Sequence, residues 1–193
     1  MHDEVKPVNN LYGGAMNIDD KTWVTLFSAE EIREGIKRAG EKISEDYKDK
    51  KPVVVSLLKG SFIFAADLVR EIKLPLSVDF MTTSSYGFST QSTGKVDVLS
   101  DIHTPVKGRD IILVDDIMDS GITMSFAVNH LKKKNPDSIK TCVLLDKPER
   151  RTADIQPDYK VFEIPDLFVV GYGLNFGDYY RNIPYIFSVK DDK

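Results

Sequence analysis

Hydrophobic and polar positions follow two rhythms along this chain, and each change of rhythm marks the border of an element. From Ser28, the stretch SAEEIREGIKRAGEKISEDY places Ile32, Ile36, Ala39 and Ile43 at helical spacing. Ser28 with Glu31 three positions later forms a capping box, so an amphipathic helix of about five turns is predicted there. Residues 52–58, PVVVSLL, are continuously apolar and rich in β-branched side chains, as a strand buried on both faces of a parallel sheet would be. That run ends in Lys59-Gly60-Ser61, and FIFAADLVREI then has the length and spacing of a helix. LSVDFMTTSSYG (76–87) predicts a second strand, whereas FSTQSTGKVD (88–97) is too rich in Gly, Ser and Thr for a core element.

A third unit follows. DIILV (110–114) predicts a buried strand, DDIMDSG a loop, and ITMSFAVNHLKKKN a helix with Lys132, Lys133 and Lys134 in its last turn, where cations suit the helix dipole. IKTCVLLDK, YKVFEIP and LFVVGYGL each predict a strand. Strands alternating with helices at this spacing imply an α/β fold, a mostly parallel twisted sheet flanked by helices. No repeat, low-complexity tract or interdomain linker interrupts residues 1–193, so a single domain is expected. Residues 1–20, with turn signals at Asn9-Asn10 and Gly13-Gly14, predict an arm or irregular lead-in, and KDDK at the end a solvated tail.

Composition narrows the function classes. The 193 residues are 41% hydrophobic and 29% charged, an ordinary globular balance. Cys142 is the single cysteine, which rules out an internal disulfide and a Cys-rich zinc site and points to a reducing compartment. Its place inside TCVLL predicts an inert buried thiol. Twenty-six basic against 30 acidic residues give a net charge of −4, which argues against nucleic acid or an anionic membrane as partner. An anionic ligand therefore needs a local binding device. No apolar stretch approaches a membrane span and the first residues lack the pattern of a signal peptide, so a cytoplasmic protein is expected. His2, His103 and His130 have no ligand spacing. Trp23, before the first helix, is expected to pack.

The segment ILVDDIMDSGITM (112–124) carries the most chemistry. A hydrophobic strand delivers Asp115 and Asp116, then Asp119, then Ser120-Gly121-Ile122-Thr123 at a helix start. In open α/β sheets the ligand crevice lies at the carboxyl ends of the strands. Amides and hydroxyls at a helix N-terminus suit a phosphate, while carboxylates accept hydrogen bonds from vicinal hydroxyls and can take or return a proton. The loop thus suits a ligand with a sugar diol and a phosphate. Each feature has a plainer reading as well. Asp-Asp after a strand also occurs in metal sites of receiver domains and in solvated loops, Lys59-Gly60 in ordinary turns, and Ser85-Tyr86 at strand ends. Lys147 can be a surface lysine before Pro148, Phe168 a core residue, and Arg181 a surface partner of Asp178.

The succession of strand, two acids, two apolar residues, Asp, Ser, Gly, any residue and Thr resembles the phosphoribosyl pyrophosphate-binding motif of the type I phosphoribosyltransferases. Leu58-Lys59-Gly60, Ser85-Tyr86, Lys147 after VLLD, and FVVGYGLN with Arg181 fall in the order seen in the hypoxanthine-guanine phosphoribosyltransferases, over nearly the whole chain. That resemblance implies a small hood formed by the terminal segments, Mg²⁺ as cofactor, a 6-oxopurine and phosphoribosyl pyrophosphate as substrates, and a homodimer or homotetramer. It assigns the ribose hydroxyls to Asp115 and Asp116, also near the metal, and proton movement at the purine N7 to Asp119. The 5′-phosphate falls to Ser120, Gly121, Ile122 and Thr123, and pyrophosphate to Lys59, Gly60 and Arg181. Lys147 would meet the 6-oxo group, Phe168 would stack on the purine, and the Val169 backbone would read its edge. Ser85-Tyr86 would open a lid over 86–96. The peptide between Leu58 and Lys59 is often cis in this family.

Two positions depart from the family pattern. Asp115 stands where many relatives have Glu, giving a shorter arm to the ribose. Asn175 stands where an Asp commonly helps hold Mg²⁺; an amide brings an oxygen without charge, so weaker metal binding is expected. Asp178 lies three residues on. A xanthine-preferring transferase is the alternative within the class, and a nucleotide-sensing regulatory protein on the same fold is the alternative outside it. A dinucleotide-binding oxidoreductase is excluded because no strand is followed by GxGxxG.

Overall fold

The computed structural model describes residues 22–85 and 96–190. Tyr86, the arm 1–20, most of the expected lid and the last three residues lie outside them. The chain runs β1 (Thr22–Phe27), α1 (Ala29–Asp46), β2 (Val53–Leu58), α2 (Phe62–Glu71), β3 (Ser77–Ser85), β4 (Val96–Ser100), β5 (Asp110–Met118), α3 (Ile122–Lys132), β6 (Ser138–Asp146), β7 (Tyr159–Glu163), β8 (Val169–Val170) and β9 (Ile186–Lys190). The large sheet has the order β4-β3-β2-β5-β6-β7. Its strands are parallel except for β4, which pairs antiparallel with β3.

The predicted first helix is present with its capping box intact: the Glu31 amide donates to Ser28 Oγ at 3.2 Å and the Ser28 amide to Glu31 Oε2 at 2.8 Å. Ile32, Ile36 and Ile43 face a core layer that also takes Val54, Phe64, Leu68, Ile112 and Leu144 from the sheet and α2. On the opposite face Val53, Val55, Ile111, Leu113 and Val143 pack against Met124, Ala127 and Leu131 of α3. Alternation along β2 and β5 sends successive residues to the two layers, which is why these runs read as continuously apolar. Cys142 is buried in the first layer, and burial pushes its thiol well up from the usual range.

Several expectations are corrected. The acids Asp115 and Asp116 stand on β5, which runs on to Met118, because β6 continues to pair with it through Asp115↔Val143, Ile117↔Leu145 and Met118↔Asp146. Val96 is buried and starts β4, inside a stretch that reads as too polar for the core. α3 ends at Lys132; Lys133 caps it and Lys134 instead pairs with Asp101 at 2.7 Å. The strand expected over LFVVGYGL shrinks to Val169–Val170. Lys190 ends β9 and so belongs to a strand. The hood is the antiparallel sheet β1-β9-β8, built from both terminal regions, with Trp23 edge-on to Phe187 at 4.6 Å.

Candidate active site

Chain order reverses at the middle of the large sheet: β2 leads to β3 and β4 on one side, β5 to β6 and β7 on the other. The carboxyl ends of β2 and β5 therefore flank the crevice where such sheets take ligands. A cavity of about 360 Å³ lies there, lined by Leu58, Gly60, Asp115, Asp116, Asp119, Ser120, Gly121 and Thr123 among others. β2 stops pairing with β5 at Ser56↔Val114, so of the next two residues of β5, the acids, Asp115 pairs only with Val143 of β6, and both border the crevice. Desolvation pushes the Asp115 carboxyl well above the usual range, and the adjacent Asp116 adds to it. Desolvation raises Asp116 too, opposed by its hydrogen bonds and by the positive charge of Arg181. Two acids that ionise reluctantly side by side suit hydroxyl donors or a cation.

Beyond β5 the chain turns into α3 through Gly121, whose φ of +81° is left-handed. A side chain there would also meet Ile155 Cγ2 at 2.9 Å and Arg151 Cδ at 3.0 Å, so glycine is required on both counts. Asp119 is half-buried in this turn. Its Oδ1 has no hydrogen bond among the described residues, although Arg150 Nε lies 3.1 Å away at ion-pair range. Ile122, opening α3, is exposed, and its amide donates to Ser120 Oγ at 3.4 Å.

The Leu58–Lys59 peptide is cis, and Lys59 is exposed. Gly60 is wedged. A Cβ on it would collide with the Asp116 carboxylate, while a Cβ on Gly173 would collide with the Gly60 carbonyl. Gly173 in turn is held to Arg181, its amide donating to the Arg181 carbonyl at 2.9 Å and its carbonyl accepting from Arg181 Nη1 at 2.6 Å. Three predicted segments from distant parts of the chain, around residues 60, 116 and 181, thus meet in one stack. Arg181 is bound to this strap, where the sequence leaves a surface pair with Asp178 open.

Lys147 is buried; its amide donates to the Met118 carbonyl at 2.9 Å and its Nζ is 3.8 Å from Asp166. Phe168, whose ordinary place would be a core, is 51% exposed and edge-on to Phe176 at 5.8 Å. Val169 beside it is buried and paired with Ser188 of β9. Ser85 ends β3. Asn175 is exposed, and its Nδ2 donates to the Gly177 carbonyl. Sequence reasoning missed Gly173, Asp166 and Arg150. Only Gly173 leaves a local trace, in the Gly-Tyr-Gly spacing of a tight turn.

The described residues contain no group of three or more His, Cys, Asp or Glu arranged to hold a metal. Mg²⁺ commonly needs only one or two carboxylates with substrate oxygens completing its shell, and the Asp115–Asp116 pair meets that description. No helix among the described residues is long and apolar enough to cross a membrane.

Comparison with known proteins identifies the family. A family model for the phosphoribosyl transferase domain matches residues 22–177. The chain is 47% identical over 165 residues to a hypoxanthine-guanine phosphoribosyltransferase of Bacillus subtilis, covering 86% of this chain and 92% of the relative. It is 42% identical over 171 residues to one from Dictyostelium discoideum, covering 86% and 95%. A crystal structure of a Bacillus anthracis hypoxanthine-guanine phosphoribosyltransferase superposes with a TM-score of 0.82 at 46% identity, covering 86% of this chain and 98% of that one. On the family match, the relatives and the shared fold, this chain belongs to the phosphoribosyl transferase family, among the hypoxanthine-guanine phosphoribosyltransferases.

Proposed function

We propose that the protein condenses hypoxanthine or guanine with phosphoribosyl pyrophosphate to give the nucleoside monophosphate and pyrophosphate. The observation that carries this reading is the meeting around one cavity of a phosphate-type turn (120–123), paired carboxylates (115, 116) and Gly60, which is backed by Gly173 and, through it, Arg181. Ser120, Gly121, Ile122 and Thr123 would hold the 5′-phosphate through amides and hydroxyls at the start of α3. Asp115 and Asp116 would accept the ribose hydroxyls. Lys59, Gly60 and Arg181 would face the departing pyrophosphate and stabilise its growing charge. Lys147, already buried, would donate to the 6-oxo group, Phe168 would offer its exposed ring to the purine, and the Val169 backbone would read the edge of the base. Asp119 would manage the proton at N7 as the base attacks the anomeric carbon. Mg²⁺ held by the substrate and the Asp115–Asp116 pair would supply further charge neutralisation when bound. Ser85 and Tyr86 would begin a lid that keeps water from the cationic sugar. We read the whole chain as one domain working in the cytoplasm as a homodimer or homotetramer.

The test is direct. Purified protein with phosphoribosyl pyrophosphate and Mg²⁺ is given hypoxanthine, guanine, xanthine or adenine in separate reactions, and nucleotide formation is followed. Hypoxanthine or guanine is expected to be the best acceptor. Xanthine as the best would move the assignment within the class, and no product from any 6-oxopurine would leave a nucleotide sensor as the reading.

Asn175 adds a second expectation. Its amide is engaged with Gly177 in its own turn, and it brings no charge toward a cation. Asn175→Asp is expected to reach half-maximal activity at several-fold lower Mg²⁺ than wild type; superimposable Mg²⁺ curves would remove any role for this position in metal binding.

A further inference from the structure

The turn that would cradle phosphate is itself held from behind. Arg151 is almost fully buried, with a side chain 6% exposed, and pairs with Asp146, whose side chain is 1% exposed. Lys160 reaches the other oxygen of Asp146 at 3.2 Å. The same guanidinium uses Nη1 to donate to the carbonyl of Asp119 at 3.0 Å. The next two residues continue the grip, since the amides of Thr152 and Ala153 both donate to the Ser120 carbonyl at 3.0 Å.

These contacts have a directional consequence. In a trans peptide the carbonyl and the following N–H point in opposite directions. With the carbonyls of Asp119 and Ser120 drawn toward 151–153, the amides of Ser120 and Gly121 are turned away from that segment. The cavity is lined by Asp119, Ser120 and Gly121 and not by 151–153, so these amides point to its side of the turn. Neither amide has a hydrogen-bond partner among the described residues. The stem of Arg151 also closes the space behind Gly121, with Cδ 3.0 Å from where a Cβ would stand.

We propose that Arg151 is a positioning residue: anchored on Asp146, it orients the amides of residues 120 and 121 toward the phosphate without touching substrate. This rests on the transferase reading above. The guanidinium suits the task because its planar fork spans two acceptors, which an ammonium does not do in fixed geometry. Arg151 thereby joins the end of β6, next to Lys147, to the turn after β5, and so couples the purine side of the site to the phosphate side.

Arg151→Lys keeps a cation beside the buried Asp146 and loses the fork, and it separates positioning from folding. Steady-state kinetics of the variant are expected to show a KM for phosphoribosyl pyrophosphate raised about tenfold, with the KM for the base within twofold of wild type and unfolding midpoints close together. A KM for phosphoribosyl pyrophosphate within twofold of wild type, or equal losses for both substrates, would overturn the proposal. Should lysine fail to fold, Thr152→Pro repeats the test from an exposed position by removing two donors to the Ser120 carbonyl, the amide at 3.0 Å and the hydroxyl at 3.4 Å. The same selective rise supports the clamp, and its absence rejects it. A wild-type protein without transferase activity would instead overturn the reading beneath, and the two failures are told apart by that control.

Discussion

Gly60→Ala is expected to lower kcat/KM by about 100-fold or more while leaving a folded protein. The added methyl falls on the Asp116 carboxylate, and the Gly60 carbonyl already lies against Gly173 on the other side. The loop cannot retreat from one neighbour without striking the other. Overpacking of this kind costs about 1 to 3 kcal/mol, which a domain with two core layers tolerates. The damage to activity is larger because the groups displaced are those proposed to hold the substrate. Asp116 must swing away from where it would accept the ribose hydroxyls, or Gly173 must move and take Arg181 with it through their two hydrogen bonds. A misplacement of about 1 Å at reacting groups is enough for a loss of about 100-fold. The measurement is kcat/KM with an unfolding midpoint on the same preparation. An active variant with near wild-type kinetics would mean that the stack at Gly60 has slack, and that the close approach there is not part of how the site works.

This stack also shows where sequence reading reaches its limit. Helix α1, strands β2, β5 and β6, and the helices α2 and α3 that follow β2 and β5 are legible because burial on one or two faces imposes a local period. The turn over 120–123 is legible because its residue types follow one another. Gly60 meeting Gly173 is a contact across 113 positions, and no local pattern records it. β1 and β9 are missed for a related reason. They pair with each other from opposite ends of the chain, and a small hood buries only part of each, with Val24 exposed beside partly buried Trp23. β4 is an edge strand anchored inward by Val96 and, partly, by Val98, so its polar residues resemble the loop before it.

The acids on β5 are a different kind of miss. DDIMD reads as a loop because carboxylates seldom sit in a central strand. The structure keeps them in the strand because β6 still pairs with Asp115 and Ile117 after β2 has stopped, while the Asp115 and Asp116 carboxylates accept from the Asp116 and Ile117 amides at 3.0 Å. The departure from local preference therefore coincides with the crevice, as expected where function outweighs folding preference. Arg150 and Arg151 follow Lys147 in a charged run without a local pattern, yet one lies beside Asp119 and the other is buried against Asp146.

Asp119→Asn is expected to reduce kcat by about 100- to 10,000-fold, the range a positioned acid or base contributes, with the affinity for phosphoribosyl pyrophosphate changed no more than about threefold. The substitution keeps the volume of the side chain in a turn where the Asp119 and Ser120 carbonyls, rather than the carboxylate, make the supporting hydrogen bonds. The turn should therefore keep its shape. What is lost is the carboxylate's capacity to exchange a proton, together with its ion pair to Arg150. That pair is half exposed on both sides and contributes at most about 1 kcal/mol to stability, so the unfolding midpoint should scarcely move. Because Oδ1 has no hydrogen bond to give up among the described residues, the carboxylate meets a substrate without first breaking one there. Turnover and binding therefore separate in this variant, in contrast to Arg151→Lys, whose defect is expected in KM. Equal losses in kcat and in phosphoribosyl pyrophosphate affinity would place Asp119 among the groups that bind the substrate, and proton movement would have to be assigned elsewhere in the crevice.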